Sequence, residues 1–460
     1  MSKQQTSSDE DRTIDAMPTK ELFINMLTRD VQLIPAIIDL ADNCTDGARR
    51  IRGDKSWSDL EVTIEASGDK FVISDNCGGM DVETAKKYAF RFGREAGAES
   101  TKGEVGRFGV GMKRGLFKLG RHFHIHATTK KTQFEVTIDV EKWAKKPEWQ
   151  FEFDDTPTEN GNFASDEHGT TITVTKVHAQ VAEHFKSEQF IQELRQQLTS
   201  KLETSLERGL AVKVNGESLK PHLRKLVSDK ELAPAKKQFS LQGSKGKKVT
   251  VELWCGLGKP ESQSSARAES GWYVFCNGRM LLEADKTTAT GWGVEDDESI
   301  PAYHPQFNDF RGYAYLDADD AADLPWNTTK TALDTDHPVY RGVRQQMVAL
   351  ARPVIDYFNK RKEENDALKA AGEEVAGRLQ SLFDESKTKP LHHIQARTAF
   401  STPQIQTIKS TNRGPKLQRI QFDVAAKKAE EVKDQLRVSS WMAVGREVFD
   451  YYYNAECGDE

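Results

Sequence analysis

The sequence predicts an α/β (α+β) protein of several domains, and three stretches near its start carry that reading. Apolar residues at Ile34, Ile37, Ala41, Cys44, Ala48 and Ile51 recur at intervals of three and four, the period of a helix with one buried face. Phe71-Val-Ile-Ser-Asp75 is an apolar run of strand length that stops at an acid and a glycine turn, Gly78-Gly79-Met80. Gly106-Arg-Phe-Gly109-Val110-Gly111-Met112-Lys113 is a glycine-rich loop that leads into a helical segment, Met112 to Leu119.

Each stretch carries chemistry as well as structure. On the first helix Asp39, Asn43 and Asp46 share the side opposite the apolar face, so a carboxylate, an amide and a second carboxylate line up. A carboxylate can polarise water, and an amide oxygen can occupy one coordination position of Mg²⁺. A solvated acidic face has the same pattern. At the end of the strand, Asp75 can accept a hydrogen bond from an exocyclic amine, while glycines let backbone approach a flat ring. Loop amides and a helix N-terminus after Gly106, Gly109 and Gly111 can cradle phosphates, with Lys113 adding charge.

Composition narrows the class. With 460 residues the chain has room for roughly two to four domains. The net charge of −6 with 30% charged residues does not argue for nucleic acid by itself. No apolar stretch reaches the length of a membrane span, and the first residues lack a signal-peptide pattern. The five cysteines are scattered without a CxxC pair, which supports neither a disulfide framework nor a zinc site and points to a reduced, cytoplasmic setting.

Taken in order, Asp39-xxx-Asn43, then Asp75-xxx-Gly79-Met80, then Gly106-xx-Gly109-x-Gly111, resemble the nucleotide site of the GHKL ATPases. That superfamily includes gyrase B-type topoisomerases, the large heat-shock chaperone, histidine kinases and MutL. A fourth element, His168-Gly-Thr170-Thr-Ile-Thr-Val174, is similar to the family's Gly-Thr strand, whose threonine helps to bind adenine. The resemblance covers residues 20 to 180 well and extends more loosely to about 340. It implies a Bergerat-type ATP-binding sandwich that binds ATP with Mg²⁺, with Asp75 reading adenine and Asn43 as the metal ligand. Asp46, Gly79, Met80, Gly106, Gly109, Val110, Gly111, Met112, Lys113 and Thr170 complete the implied nucleotide site. Asp39 falls where the family's water-activating glutamate usually sits, one methylene shorter, so either Asp39 or its neighbour Asp42 takes the task. Cys77 stands where the family has glycine, which leaves Gly78 to supply the turn's freedom.

The rest of the chain divides as follows. Residues 1–17 are polar and expected to be disordered. Residues 18–182 form the ATP-binding domain, beginning with a helix at Pro18–Leu27. The segment 1–30 either crosses to a partner subunit, as in dimeric relatives, or caps its own domain. Asp81 to Lys102 begins helical and ends glycine-rich, as a lid would. Strands at His122–Thr128 and Gln133–Val140 alternate like a half-buried sheet. After helices across Gln180–Leu210, strand-like runs at Ala211–Asn215, Val249–Leu257, Gly271–Cys276 and Gly312–Leu316 predict a second domain, 183–345. It resembles the S5-like transducer of gyrase B, MutL and the MORC ATPases, whose loop lysine, here Lys330, reaches the γ-phosphate. Residues 346–385 read as a helical stalk. Residues 386–418 read as a basic linker, since 386–422 hold seven Lys/Arg and no Asp/Glu. Residues 419–456 read as strand, helix and helix, similar to a ribbon-helix-helix module that dimerises and contacts DNA, or only dimerises.

The expectation is therefore a homodimeric, ATP-gated clamp, slow in turnover, with Asp39 and Lys330 as catalytic residues. DNA is the expected client through residues 386–460, in genome maintenance or defence against foreign DNA. A chaperone-like clamp on a protein partner and a nucleotide-controlled scaffold with weak hydrolysis are the alternatives.

Overall fold

Two sheets, each backed by helices, are built along one stretch of chain up to Pro403 in the computed structural model. The structure describes residues 18–29, 31–91, 105, 111–243, 247–262, 264–294, 300–327, 330, 332–372, 375–395, 397–403, 420 and 423–457. The segment 1–17, residues 92–102 of the lid candidate, and Gly106, Gly109 and Val110 lie outside the described residues.

Helices α1 (Lys20–Arg29) and α2 (Leu33–Arg52) lead into the hairpin β1 (Glu61–Ala66) and β2 (Phe71–Asp75). A short α3 (Val82–Thr84) passes into a π-helical turn at Ala85–Ala89. Then come α4 (Gly111–Leu119), β3 (Gly120–Thr128), β4 (Gln133–Asp139), α5 (Val140–Lys145) and β5 (Gly169–Val177). Helices α6 (Ala179–Lys186), α7 (Glu188–Lys201) and α8 (Glu203–Glu207) return the chain to β6 (Ala211–Val214) and β7 (Glu217–Ser218). The sheet order is β4-β3-β5-β2-β1-β6-β7, and β6 lies parallel to β1. Alternation on the strands, such as Val62, Ile64 and Ala66 inward, lays one face on the apolar stripes of α2, α4 and α7. The N-terminal helix caps its own domain: Lys20 is buried, and its Nζ donates to the carbonyls of Trp143 (2.9 Å), Lys146 (2.6 Å) and Glu148 (2.6 Å).

Strands β6 and β7 move the boundary of the first domain. The run Ala211–Asn215, expected in the second domain, completes the first sheet, and α6–α8 pack into the first core. The domain therefore runs to about residue 219, not 182. A parallel strand pairs across a long crossover, so nothing local in the sequence announces its partner.

The second sheet has the order β12-β11-β13-β10-β9, built from β9 (Ala235–Gln242), β10 (Lys248–Leu257), β11 (Gly271–Cys276), β12 (Arg279–Asp285) and β13 (Phe310–Ala318). Ahead of it lies β8 (Lys225–Val227), and a short α9 (Ala266–Glu269) precedes β11. The long α10 (Pro338–Ala370) crosses this sheet and buries Val343, Met347, Ala351, Val354 and Phe358. What read as a stalk therefore packs one face into the core for most of its length, and that burial stops at Arg361. After α11 (Arg378–Glu385), β14 (Thr388–Pro390) pairs with β8, and Ile394 and Phe400 are buried. Residues 386–403 are thus a docked strap rather than a linker. Their few apolar anchors hold it, while basic composition described only the solvent side.

The second unit, Gln404–Glu460, is described from residue 420 onward. Helices α12 (Ala426–Leu436) and α13 (Trp441–Tyr452) match the expected pair, with the Ser440 hydroxyl accepting from the Ala443 amide at the start of α13 (3.2 Å). Neither helix buries a residue. The expected ribbon strand does not appear at Asp423–Ala425, and Arg419 and Gln421 lie outside the described residues.

Candidate functional site

Helix α2 places its carboxylates by period. Asp39 and Asp42 point inward and are 4% and 1% exposed, Asn43 is exposed, and Asp46 is half-buried. The Asp46 Oδ1 accepts the Val105 amide (2.7 Å), tying α2 to the loop ahead of α4. Asp39 Oδ2 receives Arg114 Nη2 (3.1 Å) from α4, and Gly111, at the helix start, lies directly over this carboxylate. The other oxygen, Oδ1, is buried and has no hydrogen bond among the described residues. Burial pushes the Asp39 carboxyl above its ordinary range, and Lys330 pulls it back most strongly.

Strand β2 delivers Asp75 to the same end of the sheet, in register with Thr170 at the start of β5. The Cys77 amide donates to Asp75 Oδ1 (2.7 Å). Burial raises the Asp75 pKa, and the Cys77 amide, the Cys44 thiol and the Thr170 amide lower it in turn. Gly78 and Gly79 take φ of +88° and +69°, so the departure at Cys77 costs the turn nothing. Cys77 itself is buried. A side chain at Gly79 would meet the Thr128 carbonyl at 2.0 Å and the Gly169 carbonyl at 2.9 Å, so the turn runs hard against β3 and β5. Arg50 Nη2 holds it by donating to the Gly79 carbonyl (2.6 Å), and Met80 packs against the core.

Lys113 departs from expectation. It is buried, and its Nζ donates to the carbonyls of Ala89 (2.7 Å) and Arg91 (2.6 Å) instead of facing a phosphate site. Burial holds its pKa down to about 7. The helix begins two residues before it, at Gly111, and Lys113 fastens α4 to the backbone at Ala89 and Arg91. Met112 is buried beside it, and Gly111 is the remaining described member of the loop.

The second domain completes the site. Lys330 sits in a turn closed by Asn327 and Ala332, with φ of +51° and 6% exposure. Its Nζ lies 3.4 Å from Asp42 Oδ2 and 3.9 Å from Asp39 Oδ1. The structure thus brings Lys330 and Asp39 together across nearly three hundred residues of sequence. Arg279, at the start of β12, places Nη1 2.7 Å from both Asp42 oxygens. Asp42 thus has both oxygens held by Arg279, whereas Asp39 keeps one oxygen without a hydrogen bond among the described residues.

Residues 31–170 match the family described as Histidine kinase-, DNA gyrase B-, and HSP90-like ATPase. This segment is similar to the GHKL-type ATPases. The GHKL match spans α2, the Gly78-Gly79 turn, α4 and the first residues of β5, which are the elements that meet around Asp39 and Asp75. No curated protein matches the chain. Sequence reasoning missed Arg114, Arg279 and Gly47, at which a side chain would meet the Cys77 carbonyl at 2.7 Å. A buried arginine has no local signature, but Asn277-Gly278 is a hairpin signal that would have located Arg279.

Proposed function

We propose that the chain is a Mg²⁺-dependent ATPase of the GHKL type that works as an ATP-gated dimeric clamp on DNA in the cytoplasm. The observation that carries the ATPase reading is the convergence of Lys330, from the second domain, on the buried Asp39 of α2. The donors present suit the expected ligands. Exposed Asn43 offers an amide oxygen to a hard cation, and Asp39 Oδ1, which has no hydrogen bond among the described residues, offers a carboxylate oxygen to water. Asp75 offers a carboxylate to an exocyclic amine, beside a turn that only glycine can make. Bound Mg²⁺ would neutralise part of the triphosphate charge. Asp39 orients and deprotonates the attacking water, Arg114 fixes its rotamer, and Lys330 meets the charge that builds on the terminal phosphate.

The position of the five-stranded domain after the ATPase domain, with a lysine loop reaching back, supports a transducer role like that of MORC- and MutL-type proteins. Dimerisation through the tail is supported by α13, whose Trp441, Met442, Tyr451 and Tyr452 are all exposed, because two helices that bury nothing between them lack a core of their own. DNA is the proposed client of the basic stretch that begins after the strap. Among the described residues no helix is long and apolar enough to cross a membrane, and the cysteines are free thiols, in keeping with a reduced setting.

Light scattering with no nucleotide, ADP and a non-hydrolysable ATP analogue, each with linear and closed circular DNA, tests this reading. Closure with the analogue and salt-resistant retention of circular DNA, lost on removal of 404–460, is the expected result. Closure that ignores DNA transfers the client role to a protein, and no response to nucleotide refutes the clamp.

A further inference from the structure

Three cations surround two buried carboxylates on α2, and they are not held alike. Asp42 has its own arginine: Arg279 grips both oxygens at 2.7 Å, and the pair is buried. Asp39 also has its own arginine, Arg114, at 3.1 Å. Lys330 is shared, at 3.4 Å from one acid and 3.9 Å from the other.

Their supports differ in the same way. Arg279 follows the Asn277-Gly278 turn, which is fixed from both domains. The Asn277 carbonyl accepts Arg49 Nη2 (2.7 Å), and its side chain exchanges two hydrogen bonds with the Ala318 backbone (2.9 and 3.1 Å). Lys330 hangs from a short turn on a flexible four-carbon stem.

We propose that Arg279 is a positioning residue for γ-phosphate sensing: by saturating Asp42, it leaves Lys330 free to exchange the α2 carboxylates for the terminal phosphate of ATP. This rests on the ATPase reading above. A buried carboxylate stripped of its counter-ion is costly, so a lysine that was the sole partner of Asp42 would be held there. With an arginine on each acid, departure of Lys330 uncovers neither. Arg279 touches no reacting atom and acts only through Asp42 and Lys330.

The test compares wild type with Arg279→Gln, with the double variant Arg279→Gln/Asp42→Asn, and with Lys330→Ala. The readouts are the Kd values for ADP and for a non-hydrolysable triphosphate analogue, and the unfolding temperature of each protein. Wild type prefers the triphosphate, and Lys330→Ala loses that preference. Arg279→Gln leaves Lys330 as the only cation on Asp42, so the ratio of ADP to analogue Kd falls by roughly tenfold while ADP affinity stays within about twofold. The double variant removes the competing charge together with its partner, and the ratio returns to within about threefold of wild type. Should Arg279→Gln fail to fold, Arg279→Lys, which keeps the charge without the two-point grip, shows an intermediate ratio. A wild-type ratio in Arg279→Gln, or a double variant as impaired as the single, overturns the proposal and leaves the ATPase reading standing. A wild-type protein that binds neither nucleotide overturns both.

Discussion

Asp75→Asn is the sharpest single perturbation of the nucleotide site, because it changes chemistry without changing shape. The Cys77 amide keeps an acceptor in the asparagine oxygen, so the turn at Gly78 and Gly79 has no cause to move. The second oxygen becomes an NH₂ group, which faces the exocyclic amine of adenine donor to donor. Loss of a hydrogen bond to a charged acceptor is worth about 1.5–3 kcal/mol, and a buried donor left without a partner adds about 1–3 kcal/mol. The total of about 2.5–6 kcal/mol corresponds to roughly two to four orders of magnitude in Kd for ATP. Stability is expected to change little. Burial raises the folded-state pKa of Asp75 above its unfolded value, so its contribution is present at low pH and lost as pH rises through that folded value. Asparagine never ionises, which offsets the acceptor it takes from the Cys44 thiol and the Thr170 amide, and the variant is expected to melt at neutral pH within a few degrees of wild type. Titration calorimetry with a non-hydrolysable analogue and a thermal melt read both effects. Binding within about fivefold of wild type, in a protein that melts normally, would refute the assignment of Asp75 as the adenine reader.

Three further outcomes follow from the same geometry. Asp39→Asn is expected to lower steady-state phosphate release by about 100-fold or more with analogue binding within a few fold, and equal turnover would place the base elsewhere. Gly79→Ala is expected to destabilise by about 3 kcal/mol or more in a denaturant melt, since its φ is +69° and its Cβ would lie 2.0 Å from the Thr128 carbonyl; an unchanged midpoint contradicts that contact. Lys113 has a folded pKa lowered from 10.5 to about 7, so between those values the unfolded chain binds the extra proton and stability should rise with pH by up to roughly 1 kcal/mol per unit; Lys113→Met should flatten this rise, and an unaltered pH slope argues against it.

The parts of the molecule that local chemistry dictates were legible in the sequence. The apolar period from Ile34 to Ile51 lies within α2, Phe71–Asp75 is β2 residue for residue, and Gly271–Cys276 is β11. The two tail helices also followed from their caps and periods. Asp39 and Lys330 were paired because a resemblance supplied the long-range link, and the structure brings them within 3.9 Å. What stayed hidden depends on distant partners. The pairing of β6 with β1 joins segments about 150 residues apart, and Thr388–Pro390 looks like linker until β8 is beside it. Lys113 was assigned by charge, whereas its direction is set by which face of α4 packs on the sheet. Arg279 and Arg114 are ordinary surface residues by composition, and only the buried acids opposite them explain their burial.

The grip of Arg279 on Asp42 also bears on how such a protein can change over generations. The two halves of that pair lie 237 positions apart, one in each sheet-bearing domain. A recombination event that brought in a new second domain without an arginine at the start of β12 would leave a bare carboxylate inside α2, one residue from Asn43. Reciprocally, a foreign ATPase domain lacking the acid would strand a buried guanidinium. An exchange of either domain therefore carries the cost of an uncompensated buried charge unless both halves of the pair travel together.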